Sequence, residues 1–230
     1  MTGSVIEIEA ADGSGRFQAY ASGPEDAASG VVVIQEIFGV NATMRAVADQ
    51  LGEQGRRAIV PDLFWRIEPG VDLDSTQESE RERAMGYYGK FDLAKGIEDC
   101  VAAVAHLRGP CARVGVVGYC LGGRLAYHTA VQSDADASVG YYGVGIETVL
   151  ADARRGIRPL LLHFGETDEL CGPDARAAIY GALESRSGVE LHSYGGAGHA
   201  FARPNSVNFN PEAADIANQR TADFFARHLD

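Results

Sequence analysis

The stretch VGVVGYCLGG, residues 114–123, brings the chain from an apolar run into a helical pattern across a turn of very few residues. Val114–Val117 is predicted as a strand, and Leu121–Val131 as the helix that follows it almost at once. A strand that leads so directly into a helix is typical of an α/β fold. Cys120 occupies the turn itself, at the carboxyl end of the predicted strand, where such folds collect their chemistry.

Glycines flank Cys120 in the pattern G-x-Nu-x-G, where Nu marks the position of a nucleophile. A turn this tight strains the backbone of the central residue, and side chains two residues to either side would collide, so Gly118 and Gly122 are required. The N-terminus of the following helix favours a thiolate over a thiol at Cys120. The amide of Leu121 would face an oxyanion. The pattern therefore predicts a nucleophilic cysteine.

Two other interpretations of this turn are open from the motif alone. Cysteine is among the most frequently buried residue types and is often chemically inert. A glycine-rich turn between a strand and a helix can also hold a phosphate group, although neither G-x-G-x-x-G nor G-x-x-x-x-G-K-[ST] is present in this sequence.

The rest of the chain alternates short β-rich runs with longer helical ones. The other predicted strands are Val5–Glu9, Arg16–Ala21, Val31–Gln35, Arg57–Val60, Ser138–Tyr142, Pro159–Phe164 and Val189–Ser193. The other predicted helices run from a cap at Asn41 or Thr43 to about Gln54, and over Ala94–Arg108, Asp174–Glu184 and Pro211–His228. Because no linker or repeat divides this alternation, we predict a single domain over residues 1–230, with a mainly parallel sheet and helices on both faces.

The segment Phe64–Tyr88 fits no regular element until about Ser79. Long connections of this kind inside a compact domain are usually functional or mobile. We therefore predict that this segment forms a flap over the site.

An acid and a histidine follow Cys120 in the order that an elbow nucleophile requires. Asp168 lies in the turn after the predicted strand Pro159–Phe164, and His199 lies in the loop after Val189–Ser193. Both loops are predicted at the same edge of the sheet as Cys120. His199 can act as the general base toward the thiol, while Asp168 orients the ring and stabilises the imidazolium. The order indicates an α/β-hydrolase fold with a Cys-His-Asp triad.

Each partner has competitors. Glu166 and Glu169 lie in the same turn as Asp168, which is preferred because it lies deeper in that turn. An aspartate after a strand is often only a turn former, and a histidine among glycines is often only a loop residue. The remaining histidines fall within predicted helices or strands and are weaker candidates for the base: His106, His128, His163, His192 and His228.

The sequence QEIFG, residues 35–39, follows a predicted strand where an α/β-hydrolase builds the other half of its oxyanion hole. The amide of Ile37 is the natural second donor. Glu36 has two interpretations: it is an exposed loop charge or the partner of a nearby arginine, or it interacts with the Cys120 thiol or its proton.

Two arginines are candidates for binding a substrate carboxylate. Arg203 follows His199 by four residues, and Arg81 lies in the predicted flap. The guanidinium fork can hold a carboxylate through two hydrogen bonds. A solvated surface position is the more common fate of an arginine, and we select only these two.

Composition restricts the partners. The 230 residues carry a net charge of -12, which argues against a nucleic-acid or anionic-membrane surface but not against a small anionic ester or lactone. No signal peptide and no apolar run of membrane-spanning length is evident. The four cysteines show no pairing pattern, which favours a reducing cytoplasm. We expect a cytoplasmic monomer that needs no cofactor and no metal.

Together, GYCLGG, QEIFG, the G-x-x-D turn at Asp168 and GHAFAR resemble dienelactone hydrolase (carboxymethylenebutenolidase). The likeness extends from about Val31 to the C-terminus and includes SVGYYGVG at residues 138–145. The resemblance implies a triad of Cys120, Asp168 and His199, with Glu36 helping to activate the thiol. It also implies that Arg81 and Arg203 hold the substrate carboxylate.

The resemblance implies hydrolysis of an unsaturated lactone that bears a carboxylate, from dienelactone to maleylacetate. This chain has Met85 and Tyr88 where that family carries tyrosine and tryptophan, which changes the polarity and shape of the pocket, and Tyr88 is kept as a substrate-binding candidate. Three other functions are open: a broader carboxylesterase or thioesterase with the same triad, a binding or regulatory protein without turnover, and a nucleotide-binding protein.

Overall fold

The computed structural model describes residues 3–230, with the backbone alone at 154 and 155. The chain forms two compact units, of which the first ends at Val116 and the second begins at Val117. Each unit combines β-strands with α-helices and is described separately below.

The first unit contains a sheet with the strand order β1-β2-β4-β3. Its strands are β1 (Ser4–Glu9), β2 (Arg16–Ser22), β3 (Ser29–Ile34) and β4 (Arg57–Pro61), its helices are α1 (Ala42–Glu53), α2 (Glu78–Lys90) and α3 (Leu93–Arg108), and β5 (Arg113–Tyr119) leads into the second unit. β1 and β2 pair antiparallel, as do β2 and β4, whereas β3 and β4 pair parallel. β1 and β2 match the predicted strands Val5–Glu9 and Arg16–Ala21 within one residue at each end.

Local chemistry accounts for these elements. Every residue of β3 is buried, as its apolar sequence VVVI predicts for a strand with both faces covered. α1 begins after Asn41, whose side chain accepts the amide of Met44, and α3 begins after Asp92, whose side chain accepts the amide of Lys95. Asn41, and not Thr43, is thus the cap of α1.

The predicted flap is only partly irregular. From Glu78 it forms α2, close to the predicted start of regular structure at about Ser79. Part of the connection before α2 is buried within the first unit. Phe64 is fully buried and stacks on Tyr87 at a ring-centroid distance of 5.5 Å. The carboxylate of Asp62 accepts the amides of Phe64 and Gly70. Buried rings and satisfied backbone groups anchor this segment within the first unit. Its role as a flap over the site stays a prediction.

The second unit contains three consecutive parallel strands in the order β6-β7-β8. Its helices are α4 (Leu121–Gln132), α5 (Pro173–Leu183) and α6 (Pro211–Leu229), its strands are β6 (Ala137–Tyr141), β7 (Leu160–Gly165) and β8 (Val189–Tyr194), and short 3-10 helices span Ile146–Thr148 and Leu150–Arg155. A cluster of buried residues that includes Tyr127 of α4, Leu162 of β7 and Ile179 of α5 forms an apolar core.

The predicted α/β fold with a mainly parallel sheet is confirmed, and each predicted element is present within one or two residues of its predicted ends. The two 3-10 helices were not predicted. Within residues 3–230, no helix has both the length and the hydrophobicity that crossing a bilayer requires.

We predict that Asp99→Ala destabilises the protein by about 3–5 kcal/mol. Asp99 is fully buried in α3, where it accepts hydrogen bonds from the Trp65 indole at 2.8 Å and from Arg66 Nε and Nη2 at 3.0 and 2.7 Å. Its removal leaves these donors without their acceptor. The free energy of unfolding from urea titration measures the loss.

Glu98→Ala is the matched control for Asp99→Ala. Glu98 is the preceding residue of the same helix, is half-exposed and pairs with Lys95. We expect its substitution to change the free energy of unfolding by less than about 1 kcal/mol, because exposed ion pairs contribute little. Equal losses in the two variants would show that the buried carboxylate has no special part in the fold.

Candidate active site

Cys120 has a backbone conformation that residues with a side chain rarely adopt. Its φ is 55° and its ψ is −112°, between the end of β5 and the first residue of α4. A Cβ added to Gly118 would lie 1.9 Å from the carbonyl oxygen of Gly122, and one added to Gly123 would lie 2.5 Å from the carbonyl oxygen of Tyr141. The elbow predicted from the glycine pattern is present, and its glycines are there because the backbones approach so closely.

Backbone hydrogen bonds hold the elbow. The amide of Cys120 donates to the carbonyl oxygen of Tyr141 at 3.0 Å. The carbonyl oxygen of Cys120 accepts the amides of Gly123 and Arg124 in the first turn of α4. Leu121 is the first residue of that helix, so its amide lies among the N-terminal groups that have no acceptor within the helix and can bind an anion.

The side chain of Cys120 also differs from those of the other cysteines in its exposure to solvent. Cys120 is partly exposed, while Cys100, Cys111 and Cys171 are buried. Burial raises the pKa of each of the three buried thiols, for Cys171 to about 11. These three are therefore held as thiols, and the interpretation of a buried, inert cysteine applies to them and not to Cys120.

Asp168 and His199 are hydrogen-bonded to each other. Asp168 Oδ2 lies 2.9 Å from His199 Nδ1, and Asp168 Oδ1 accepts the amide of Leu170 at 2.8 Å. The carboxylate is 2% exposed, whereas the competitors Glu166 and Glu169 are exposed to solvent. Of the three carboxylates in the turn, Asp168 is therefore the one that reaches the ring, because it is the most deeply buried.

His199 also forms a side-chain hydrogen bond with Cys120. Burial by itself lowers the pKa of His199, but the hydrogen bonds and charges of Asp168 and Cys120 outweigh it and raise the pKa to about 10. At neutral pH the ring is therefore an imidazolium between two groups that carry or can carry negative charge. The three residues that the sequence selected are brought together in one hydrogen-bonded series.

The loops that carry these residues are fixed by their own backbones. The amide of Thr167 donates to the carbonyl oxygen of Ala197 at 2.9 Å, which joins the Asp168 turn to the His199 loop. The side-chain amide of Asn208 donates to the carbonyl oxygen of His199 at 3.1 Å. Both contacts fix the loops of Asp168 and His199 relative to each other.

Backbone strain marks the same place. In the described part of the chain, the residues other than glycine with a positive φ are Cys120, Tyr142 and Ala200. Tyr142 directly follows β6, and its ring meets His199 edge to face at a centroid distance of 5.2 Å. Ala200 directly follows His199. Strained backbones of this kind cluster at functional sites. Tyr142 belongs to the SVGYYGVG stretch at residues 138–145, and no role for its side chain was predicted from the sequence.

The other predicted site residues have the following positions. Arg203 is partly buried and begins a turn in which Ser206 donates its amide to the Arg203 carbonyl. In the first unit, Glu36 is 1% exposed, which excludes an exposed loop charge, and Ile37 is partly buried beside it. Arg81 and Tyr88 lie exposed on α2, with Arg81 Nη1 donating to the carbonyl oxygens of Ser75 and Thr76.

The described residues offer no evident metal site. Between residues 3 and 230, no group of three or more histidine, cysteine, aspartate or glutamate side chains is arranged to hold a metal ion.

We predict that Gly118→Ala prevents the elbow from forming as observed. The added methyl group would overlap the backbone oxygen of Gly122, so either the turn opens or the fold is lost. Gly181→Ala in α5 is the control, because a Cβ there meets nothing within 4 Å, and alanine should stabilise the helix by about 0.5–1 kcal/mol. Thermal unfolding and the rate of Cys120 alkylation measure both effects. A Gly118→Ala variant as stable and as reactive as the unaltered protein would contradict the prediction.

We also predict that His199 titrates far above the usual range of histidine. Since the pKa is raised to about 10, both ring nitrogens should carry protons at pH 8. In Cys120→Ser the neutral hydroxyl removes one source of negative charge, so the pKa of His199 should fall. Nitrogen-15 NMR of the ring over a pH titration measures both values. Loss of the ring proton near pH 6.5 in the unaltered protein would refute the charge arrangement.

The family model and the similar sequences indicate the same family. The model of the dienelactone hydrolase family matches residues 17–229. The chain is 42% identical over 221 residues to a carboxymethylenebutenolidase of a Pseudomonas species, which covers 94% of this chain and 92% of that protein. It is 39% identical over 225 residues to carboxymethylenebutenolidase 1 of Cupriavidus pinatubonensis, with 96% and 95% of the two chains covered.

Structural comparison agrees on the fold. The crystal structure of a dienelactone hydrolase-like promiscuous phosphotriesterase from metagenomic libraries covers all of both chains with a TM-score of 0.78 and 22% identity. This likeness supports an α/β-hydrolase fold. From the extent of the family match and of the identity to these relatives, the chain belongs to the dienelactone hydrolase family.

Proposed function

We propose that this protein hydrolyses an unsaturated lactone that bears a carboxylate, converting a dienelactone to maleylacetate with Cys120 as the nucleophile. The observation that carries the proposal is the hydrogen-bonded series of Asp168, His199 and Cys120 at a strained elbow. The names of the relatives, carboxymethylenebutenolidase, support the same type of substrate. A hydrolase that acts on carboxylic esters is the class to which this reaction belongs.

The first step in this mechanism is attack by sulfur. Cys120 is partly exposed at the elbow and shares a hydrogen bond with a protonated His199, which favours the thiolate. The thiolate attacks the lactone carbonyl carbon and forms a C–S bond. The carbonyl oxygen gains the negative charge, and the amide of Leu121 at the N-terminus of α4 can donate to it.

The second step opens the ring. When the tetrahedral intermediate collapses, the bond between the acyl carbon and the ring oxygen breaks, and the oxygen leaves as an enolate. His199 gives its proton to this oxygen or to the intermediate. Acylation makes this easier, because the negative charge of the thiolate no longer supports the imidazolium, and the pKa of His199 falls accordingly. The ring then becomes a neutral base when the next step needs one.

The third step is hydrolysis of the thioester. A water molecule gives a proton to His199 Nε2 and attacks the acyl carbon, and the thiolate leaves. The hydrogen bond from His199 Nδ1 to the buried carboxylate of Asp168 keeps Nε2 as the atom that faces the reacting groups and stabilises the new imidazolium. The diacid is released as its enol form becomes the ketone maleylacetate, and the ion pair is restored.

The remaining predicted residues complete the proposal. Arg203 would bind the substrate carboxylate, and Tyr142 borders the base through its ring. Roles for Glu36 in thiol activation, for Ile37 as an oxyanion donor, and for Arg81 and Tyr88 in substrate binding stay predictions. Each is tested by substitution and steady-state kinetics.

We predict that Cys120→Ala lowers kcat for cis- and trans-dienelactone at least about a thousandfold, because no other nucleophile replaces the sulfur. Cys171→Ala is the matched control, since this cysteine is buried and held as a thiol, and kcat should stay within about threefold of the unaltered value. Absorbance of the conjugated lactone measures turnover. A Cys120→Ala variant that keeps its activity would refute the proposal.

We further predict that Arg81→Ala and Arg203→Ala each raise KM for dienelactone about 10- to 100-fold, the equivalent of one lost charge-assisted interaction. KM for the neutral ester p-nitrophenyl acetate should not change. Arg176→Ala is the control in the second unit, because its guanidinium donates to the carbonyl oxygens of Gly165, Glu166 and Cys171. It should lower stability and leave both KM values unaltered.

The same comparison separates the proposed reaction from a broader esterase or thioesterase. Faster turnover of neutral esters or thioesters than of dienelactone, with no effect of either arginine on KM, would assign the triad to another small ester. Alkylation of Cys120 by iodoacetamide no faster than that of free cysteine, without turnover of any ester, would indicate a binding protein.

A further inference from the structure

A series of polar side chains lies between β6, β7, β8 and α6 in the second unit. Tyr194 Oη is 2.7 Å from His163 Nδ1, and His163 Nε2 is 3.1 Å from Thr221 Oγ1. Thr221 Oγ1 is 2.6 Å from Tyr141 Oη. Arg220 Nη1 donates to Tyr194 Oη at 3.2 Å at one end of the series, and Tyr141 donates to Asn218 Oδ1 at 3.0 Å at the other end.

One set of directions satisfies every hydrogen bond from one end of the series to the other. An arginine can only donate, so Tyr194 accepts from Arg220, and its own proton is available for His163 Nδ1. A neutral imidazole that accepts at Nδ1 carries its proton on Nε2 and donates it to Thr221. The Thr221 hydroxyl then donates to Tyr141, whose proton goes to the acceptor oxygen of Asn218. Each hydroxyl in the series accepts once and donates once.

The rings at the centre of this series are buried: His163 completely, Tyr141 to 1% exposure and Tyr194 to 5% exposure. Thr221 and Arg220 are partly buried, and Asn218 is exposed at one end of the series. Burial lowers the pKa of His163 well below its usual value, so the ring is neutral, as the direction of the bonds requires. Because water has little access to replace a missing partner at the buried rings, a satisfied network of this kind fixes the positions of those rings.

The same residues hold the active site through their backbones. The carbonyl oxygen of Tyr141 accepts the amide of Cys120 at 3.0 Å, and the carbonyl oxygen of His163 accepts the amide of Tyr142 at 2.7 Å. The ring of Tyr141 stacks on Tyr119, which directly precedes Cys120, at a centroid distance of 4.8 Å. Tyr142 in turn places its ring against His199.

We propose that this series, whose members are Arg220, Tyr194, His163, Thr221, Tyr141 and Asn218, is a positioning network for the nucleophile and the base. By fixing the backbone at Tyr141 and Tyr142, the network sets the position of the strained elbow at Cys120. It also sets the position of the His199 ring beside the Cys120 sulfur. None of its side chains is required to touch the substrate. The proposal rests on the proposed function of Cys120 and His199 and adds residues that act through them.

Thr221→Val and Thr221→Ser test the network. Valine has nearly the shape of threonine but can neither accept from His163 nor donate to Tyr141, whereas serine keeps the hydroxyl. We expect Thr221→Val to lower kcat for dienelactone about tenfold and the alkylation rate of Cys120 at pH 7 by a similar factor, with KM unchanged. Thr221→Ser should recover most of both losses.

Tyr180→Phe is the control for loss of a hydroxyl elsewhere in the same unit. Tyr180 Oη lies 3.0 Å from Ser193 Oγ between α5 and β8, outside the hydrogen bonds of the network. Its removal should lower the melting temperature and leave kcat and Cys120 alkylation unaltered. If Thr221→Val behaves as Tyr180→Phe does, folded and fully active, the network is structural only and the proposal is overturned.

A nitrogen-15 NMR spectrum of the unaltered protein tests the direction of the bonds without any activity. We expect the His163 ring to be neutral, with its proton on Nε2. A proton on Nδ1 would overturn the assigned direction. Failure of the proposed function is recognised separately, because unaltered protein would then hydrolyse no dienelactone, while the NMR result and the difference in alkylation between Thr221→Val and Thr221→Ser would still judge the network.

Discussion

The site in the second unit depends on one constraint, the left-handed backbone of Cys120. A φ of 55° at a residue with a side chain costs about 1–2 kcal/mol relative to an ordinary conformation. The surrounding structure compensates for this cost, because glycines at 118 and 123 let neighbouring backbones approach and Tyr141 accepts the Cys120 amide. The Cys120 thiol is therefore placed beyond the end of β5, at the N-terminus of α4.

The side chains of Asp168, His199 and Cys120 act on one another through their charges. Burial keeps Asp168 away from water, so its carboxylate acts on the His199 ring, and the ring in turn faces the sulfur. In the proposed mechanism, two neighbouring charges hold the proton on His199 at rest, and the proton is released when acylation consumes one of these charges. The same geometry therefore supports an acid in one step and a base in the next.

Much of the fold and of the candidate site was predictable, because the sequence patterns that indicate them are local. Burial on both faces makes β3 a continuous apolar run, and the tight turn after β5 requires glycines at fixed distances from Cys120. Parallel strands place their carboxyl ends at one edge, so the loops after β7 and β8 could be identified as the sources of an acid and a base. The connection before α2 was harder, because buried anchors such as Phe64 are scattered within a polar stretch.

The sequence by itself determined the α/β class and the elbow at Cys120, and it selected Asp168 and His199 as candidate partners, since each of these depends on spacing along the chain. Only the tertiary structure decided that Asp168, and not Glu166 or Glu169, reaches the ring, because burial depends on how the turn packs. It alone placed Tyr142 against the base and joined His163 to Thr221 over 58 positions of sequence. Contacts between distant residues leave no periodic signal in the chain, and therefore the side chains that hold the site were visible only after folding.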